Sequence, residues 1–254
     1  MRSAKNTVKE LFHALGFEIS RHRSNQHPPT VNVLGINPAA DVERLVHKNH
    51  RVIVFDVGAN IGQSVKRFKD LIPQCEIHSF EPGPAAYKVL KRNAESYGDV
   101  CLNNLALGSS SGEKTLLENS QCDMSSFLQP DDSCWGKIVN QTVVKVTTVD
   151  KYCEENSIPY ISLLKTDTQG YDFEVVKGAS TLMEGNRIQL VLMEVIFSNM
   201  YKDLPAFDEI FRFLLDRNFK LVSFYQFHHQ KEIASWSDAL FLNTRFDFGG
   251  MPES

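Results

Sequence analysis

Two rhythms of apolar residues alternate along most of the chain. Short unbroken apolar runs, bounded by acids, glycines and prolines, give way to stretches in which apolar residues recur every third or fourth position. The first rhythm suits strands buried on both faces, the second helices with one buried side. Val52 to Asp56 is the first run; it stops at an acid, and Gly58-Ala59-Asn60-Ile61-Gly62 then opens a helix expected from Ile61 to about Leu71. Glu76 to Phe80 is expected as the second strand; it ends in Glu81-Pro82-Gly83-Pro84 and leads into a helix through about Tyr97. A third strand is predicted near Val100 to Leu107. Further on, Ile161 to Thr166 ends on Asp167 and Gln189 to Met193 ends on Glu194, separated by a helix from Phe173 to Met183 that Gly178 breaks. Strand and helix in alternation predict right-handed βαβ units, hence an α/β fold with a parallel sheet and helices on both faces. Phe207, Ile210, Phe211, Leu214 and Leu215 form the apolar face of a following helix, which Asn218 is suited to end. Lys220 to Phe227 and Asp238 to Asn243 are linked by a polar turn too short for a crossover helix, so they are expected as an antiparallel hairpin at the sheet edge.

Outside this frame the pattern weakens. Val8, Leu11, Phe12 and Leu15 share one helical face, Arg21 to Pro29 reads as a connection, and Asp41 to Val46 as a short helix. Gly108 to Asn140 is predicted as irregular apart from a strand at Lys114 to Leu117, and suits a lid or substrate wall and a surface loop equally. Val143 to Val149 alternates as a strand, and Asp150 is placed to cap the helix from Lys151 to Asn156. The expected division is an N-terminal helical segment and linker over 1–50, one large domain over 51–246 and a tail over 247–254.

Composition narrows the function classes. The 254 residues are 42% hydrophobic, enough for a substantial core, and the formal charge of −4 argues against a nucleic-acid partner. Five cysteines without a C-x-x-C pair fit free thiols in a cytoplasmic protein. No apolar stretch approaches the length of a membrane span, so stable membrane insertion is not expected.

Four strands end in acids: Asp56, Glu81, Asp167 and Glu194. In a parallel sheet these emerge along one rim, where ligands bind. Glu81 follows the glycine turn at close to the roughly 20-residue spacing of an acid that accepts both ribose hydroxyls. Asn60 stands where a dinucleotide fingerprint needs its second glycine, which argues against pyrophosphate, and no G-x-x-x-x-G-K-[ST] occurs. A nucleoside with a zwitterionic tail fits better: N–H groups of the Gly58 to Gly62 turn would meet its carboxylate and Asp56 its ammonium.

In order, Asp56-Val57-Gly58-Ala59-Asn60-Ile61-Gly62, Phe80-Glu81-Pro82, Asn104-Leu105-Ala106-Leu107-Gly108 and Lys165-Thr166-Asp167-Thr168-Gln169-Gly170 resemble the motifs of FkbM-type S-adenosylmethionine-dependent methyltransferases, over about Val52 to Asn243. One position departs: the family usually carries Glu where this chain has Gln169, so Gln169 is not assigned as a base. The resemblance implies a Rossmann-like class I methyltransferase fold, a seven-stranded, mostly parallel sheet whose last two strands form the antiparallel edge. It implies S-adenosylmethionine as cofactor and a small-molecule hydroxyl, often on a sugar or polyketide, as acceptor. Carried over by motif, Asp56, Gly58, Asn60, Gly62 and Gln63 hold the methionine end, Glu81 takes the ribose, and Asn104, Ala106 and Leu107 flank adenine. Asp167 then stands beside the sulfonium and the acceptor.

Methyl transfer to an alcohol needs the acceptor oxygen held in line and a base for its proton. Asp167 is the first candidate base and Glu194 the second; the rival role for Asp167 is orienting the cofactor's amine. A divalent metal polarising the acceptor ranks below this metal-free route. Asp123, Ser125, Ser126 and Tyr201 are candidates to line the acceptor pocket. Two readings from other classes are a nicotinamide-dependent oxidoreductase and a non-catalytic nucleoside-binding module.

Overall fold

The computed structural model describes residues 33–248, and the helix read over Val8 to Leu15 lies outside them. In chain order the first elements are α1 (Pro38–Leu45), β1 (Ile53–Val57), α2 (Gln63–Leu71), β2 (Glu76–Phe80), α3 (Pro84–Ala94) and β3 (Val100–Asn103). There follow β4 (Ala106–Leu107), β5 (Gly112–Asn119), β6 (Ile138–Thr147), α4 (Val149–Glu155), β7 (Ile161–Thr166), α5 (Asp172–Lys177) and α6 (Ser180–Glu184). The chain then forms β8 (Ile188–Ile196), α7 (Phe207–Leu215), β9 (Phe219–Gln230) and β10 (Ile233–Asn243).

Seven strands form one sheet in the order β3-β2-β1-β7-β8-β10-β9. The first five are parallel, whereas β10 runs antiparallel to both β8 and β9, so the expected edge hairpin is present with β9 outermost. The hairpin is longer than its pattern suggested. Its turn is Lys231-Glu232, both left-handed (φ 48 and 68), which matches the twist of paired strands. Polar residues from His228 onward continue β9 because one face of an edge strand is open to water.

Alternate residues of each central strand serve two cores. Ile53, Phe55 and Val57 join Phe80, Leu164, Val191 and Phe241 on one face with α4 to α7. Val52 and Val54 join Ile77, Leu163, Leu190 and Leu240 on the other, where α1, α2 and α3 contribute Val42, Phe68 and Leu90. This is the period-two signature of a sheet covered on both sides.

Three expectations are corrected. The strand read from Val100 to Leu107 is two: β3 pairs with β2, the chain bends at Asn104, and β4 joins β6 in a second sheet of order β4-β6-β5. The strand expected at Lys114 to Leu117 extends to Gly112–Asn119, and the irregular stretch ends where β6 begins at Ile138. Asp150 does not cap the helix it begins: the Thr148 hydroxyl accepts from the Lys151 N–H, while Asp150 accepts from Thr181 and Leu182 N–H at the start of α6. The helix near Asp41 starts earlier, because the Asn37 side chain accepts from Ala39 and Ala40 N–H and Pro38 takes the first position. Among the described residues no helix is long and apolar enough to cross a membrane.

Candidate active site

The glycine turn after β1 is built by close approach of two backbones. Gly58 has φ +76, and a Cβ there would lie 1.9 Å from the carbonyl oxygen of Asp167. Gly58 and Ala59 N–H both donate to the Phe80 carbonyl at 3.0 Å, Asn60 N–H to Glu81 Oε2 at 2.9 Å, and Gly62 N–H to the Ala59 carbonyl at 2.8 Å. The first three tie the turn to the end of β2 and the residue after it, and the fourth closes the turn on itself, so the N–H groups of Gly58, Ala59, Asn60 and Gly62 are engaged within the protein. Asn60 is left-handed (φ 46), and its Oδ1 is buried with no hydrogen-bond partner among the described residues. Gly62 precedes α2 without a side-chain cap, leaving first-turn N–H groups of that helix open.

Two cavities meet at this turn. One, of about 280 Å³, runs from Phe80, Glu81, Ala106, Leu107 and Leu116 past Asp167, Gln169 and Glu194 to Met124, Phe127, Trp135 and Trp236. The other, of about 300 Å³, is lined by Gln63, Ser64, Arg67, Lys165 and Asp238. Gly58, Asn60, Asp123 and Asp167 line both.

The four strand-end acids occupy different environments. Asp56 is fully buried and lines neither cavity. Because β1 runs one residue further than its apolar run, Asp56 lies within the strand, opposite Lys165 of β7, whose ammonium is 3.1 Å away. Within the protein the partner of Asp56 is therefore Lys165, which itself lines the second cavity. Burial works against the Lys165 charge, but Asp56 and then Asp167, 3.6 Å away, hold its pKa above the ordinary lysine value. Glu81 accepts from the Asn60 and Gly83 N–H groups, yet burial outweighs these bonds and pushes its carboxyl up to about 7. Glu194 lies inside β8, which pairing with β10 prolongs to Ile196. Burial, followed by the nearby Asp167, Asp172 and Asp238, raises its pKa well above the carboxylate range.

The sequence matches the FkbM methyltransferase domain over residues 56–221. The chain belongs to the FkbM methyltransferase family. The 2-O-methyltransferase NoeI of Sinorhizobium fredii is 24% identical over 146 residues, covering 53% of this chain and 60% of that one. The hexuronic acid methyltransferase AglP of Haloferax volcanii is 23% identical over 144 residues, covering 56% of this chain and 55% of that one. The match thus spans between half and two thirds of each relative. An rRNA methylase from Streptococcus thermophilus superposes with a TM-score of 0.47 at 10% identity, over 81% of this chain and 93% of that chain, a likeness too distant to bear on the acceptor.

Within this FkbM domain the third motif divides. Ala106 and Leu107 line the first cavity, whereas the Asn104 amide donates to the Glu81 and Pro82 carbonyls and fixes the loop carrying Glu81. Asp123, Ser125 and Ser126 line the same cavity, with Tyr201 behind them, bonded to Gln169 Oε1. The insertion serves as a wall, held by Asp131 N–H to the Met200 carbonyl and Lys202 N–H to the Gln129 carbonyl. Sequence reasoning missed Lys165 and the two tryptophans. Lys165 was accessible in principle, since period two places it on the same strand face as Asp167. Trp135 and Trp236 meet edge to face, 5.3 Å between centroids, from distant parts of the chain. Among the described residues no three His, Cys, Asp or Glu side chains gather as a metal site.

Proposed function

We propose that the chain is an S-adenosylmethionine-dependent O-methyltransferase acting on a hydroxyl of a small molecule. The observation that carries this reading is the meeting of two dissimilar cavities at Asp167. One holds Glu81, whose carboxylate accepts from a vicinal diol, with apolar Phe80, Leu107 and Leu116 beside it for a purine base. The other is charged in both signs, as an amino-acid tail requires. Arg67 and the first turn of α2 suit its carboxylate, and Asp123 and Asp238 its ammonium. The unpartnered Asn60 Oδ1 at the junction calls for a donor, which a ribose hydroxyl or the ammonium would provide. Bound there, S-adenosylmethionine supplies an electrophilic methyl group on a sulfonium.

Asp167, paired with Lys165, presents negative charge at the junction. Glu194, more enclosed, takes the proton from the acceptor hydroxyl; burial and then the neighbouring acids raise its carboxyl well above the ordinary carboxylate range, which makes it the stronger base when ionised. Two carboxylates thus take two roles from their surroundings, and the order of candidates read from sequence is reversed. Met124, Phe127 and Trp236 form the apolar wall against which the acceptor lies. The free thiols of Cys75, Cys101, Cys134 and Cys153 accord with a cytoplasmic setting.

The test is transfer of label from methyl-labelled S-adenosylmethionine to a panel of sugars and polyketide-type alcohols. At least one hydroxyl is expected to become labelled; cofactor binding without transfer to any member would favour the non-catalytic module instead. Affinity should also depend on pH. The ionised form of Glu81 accepts the diol, and its carboxyl titrates at about 7 in the free protein, so S-adenosylhomocysteine affinity should rise with pH up to about 7 and then level off. Below that point the slope approaches tenfold per pH unit at most. Calorimetry across pH 5.5 to 8.5 reads this directly, and Glu81→Gln should flatten the curve.

A further inference from the structure

Gln169 makes more contacts than lining a cavity requires. It follows β7 with a left-handed backbone, φ 55. Its side-chain amide donates to Asp167 Oδ1 at 3.1 Å and to Glu194 Oε2 at 3.2 Å. Its Oε1 accepts from the Tyr201 hydroxyl at 3.0 Å, a proton shared with the Met124 carbonyl at 3.3 Å. The Ser126 hydroxyl donates to the Gln169 backbone carbonyl at 2.7 Å. The neighbours fix the amide's orientation: two carboxylates need donors, and a phenol hydroxyl needs an acceptor.

We propose that Gln169 is a positioning residue that joins Asp167 and Glu194 into one unit and ties that unit to the insertion wall through Tyr201 and Ser126. The assignment of Glu194 as base rests on the function proposed above; the coupling itself rests on the hydrogen bonds alone. Around Glu194 stand Asp167 after β7, Asp172 on α5, Asp238 on β10 and the ammonium of Lys165 on β7, with Tyr201 behind Gln169. In so acidic a surrounding, the two N–H donors of one neutral amide favour the ionised carboxylates without adding charge. Leucine at 169 would remove both donors. Phenylalanine at 201 would remove the hydroxyl that holds the amide in place, while leaving both donors present.

The test is a pH titration of Glu194 by carbon-13 NMR on the full chain labelled at glutamate carboxyl carbons, with the Glu194 signal assigned by its loss in Glu194→Gln. In Gln169→Leu the Glu194 midpoint should move up by about one pH unit or more, and in Tyr201→Phe it should move in the same direction by less. A role in packing alone would lower the melting temperature and leave the midpoint where it is. An unchanged midpoint in both variants, each with a cooperative melt, overturns the proposal; if Gln169→Leu does not fold, an unchanged midpoint in Tyr201→Phe does so by itself. The titration uses neither cofactor nor acceptor, so its failure is distinct from a failure of methyl transfer, which S-adenosylhomocysteine binding and label transfer read on the same samples.

Discussion

Glu194→Gln is expected to lower the rate of methyl transfer by about 10² or more, the range for loss of a general base. The side chain keeps its shape and its contact with the Gln169 amide but can no longer accept a proton. Glu194 is the better-placed of the two acids for this work. It is enclosed between β7 and β10, and burial together with three neighbouring acids raises its pKa, whereas Asp167 is more exposed and faces Lys165. The sign of the pH dependence follows. A base must be ionised, so the wild-type rate should climb with pH as Glu194 loses its proton, at a midpoint above the usual carboxylate range. The variant should lose that limb along with the rate. Label transfer to the first acceptor found, followed against pH, checks both; a variant rate within threefold of wild type would move the base elsewhere.

Gly58→Ala is expected to destabilise the domain by roughly 3 kcal/mol or more, from left-handed strain and steric overlap acting together. The φ of +76 already disfavours any residue with a Cβ, and the added carbon would sit 1.9 Å from the Asp167 carbonyl oxygen. No flexible side chain is there to yield. Both backbones are pinned, since Asp167 N–H donates to the Val57 carbonyl at 3.0 Å and Gly58 N–H to that of Phe80. Relief would require parting β1 from the loop after β7, at the junction of the two cavities. Urea denaturation should show the loss, with S-adenosylhomocysteine binding abolished in any protein that still folds; a change under about 1 kcal/mol would contradict the close-approach argument.

The central sheet was legible because parallel strands covered on both faces are short and mostly apolar: Ile53-Val54-Phe55 in β1, Leu163-Leu164 in β7 and Leu190-Val191-Leu192-Met193 in β8 stand between glycines, acids and helical stretches. Of the second sheet, parts of β5 and β6 were readable at Lys114 to Leu117 and Val143 to Thr147, but their full length and their pairing with β4 were not, because β5 and β6 are largely exposed and carry no continuous apolar run. At the site, residues standing just beyond strand ends were readable: Glu81 and Asp167 follow β2 and β7 directly and both reach the cavity. Asp56 stands differently, because β1 runs on to Val57 and the carboxylate lies opposite Lys165 within the sheet. The tryptophan pair joins the insertion to β10, and the contacts of Gln169 join it to the insertion and to the loop after β8, tertiary pairings that no local pattern encodes.

The central claim is that a nucleoside cofactor lies across the glycine turn with its ribose on Glu81. Calorimetric titration of S-adenosylhomocysteine into the wild-type chain and Glu81→Ala tests it most directly. One site per chain is expected in the wild type, weakened about tenfold or more in the variant, as loss of a charge-assisted hydrogen bond requires. No binding by the wild type, or equal affinity in the variant, would contradict it.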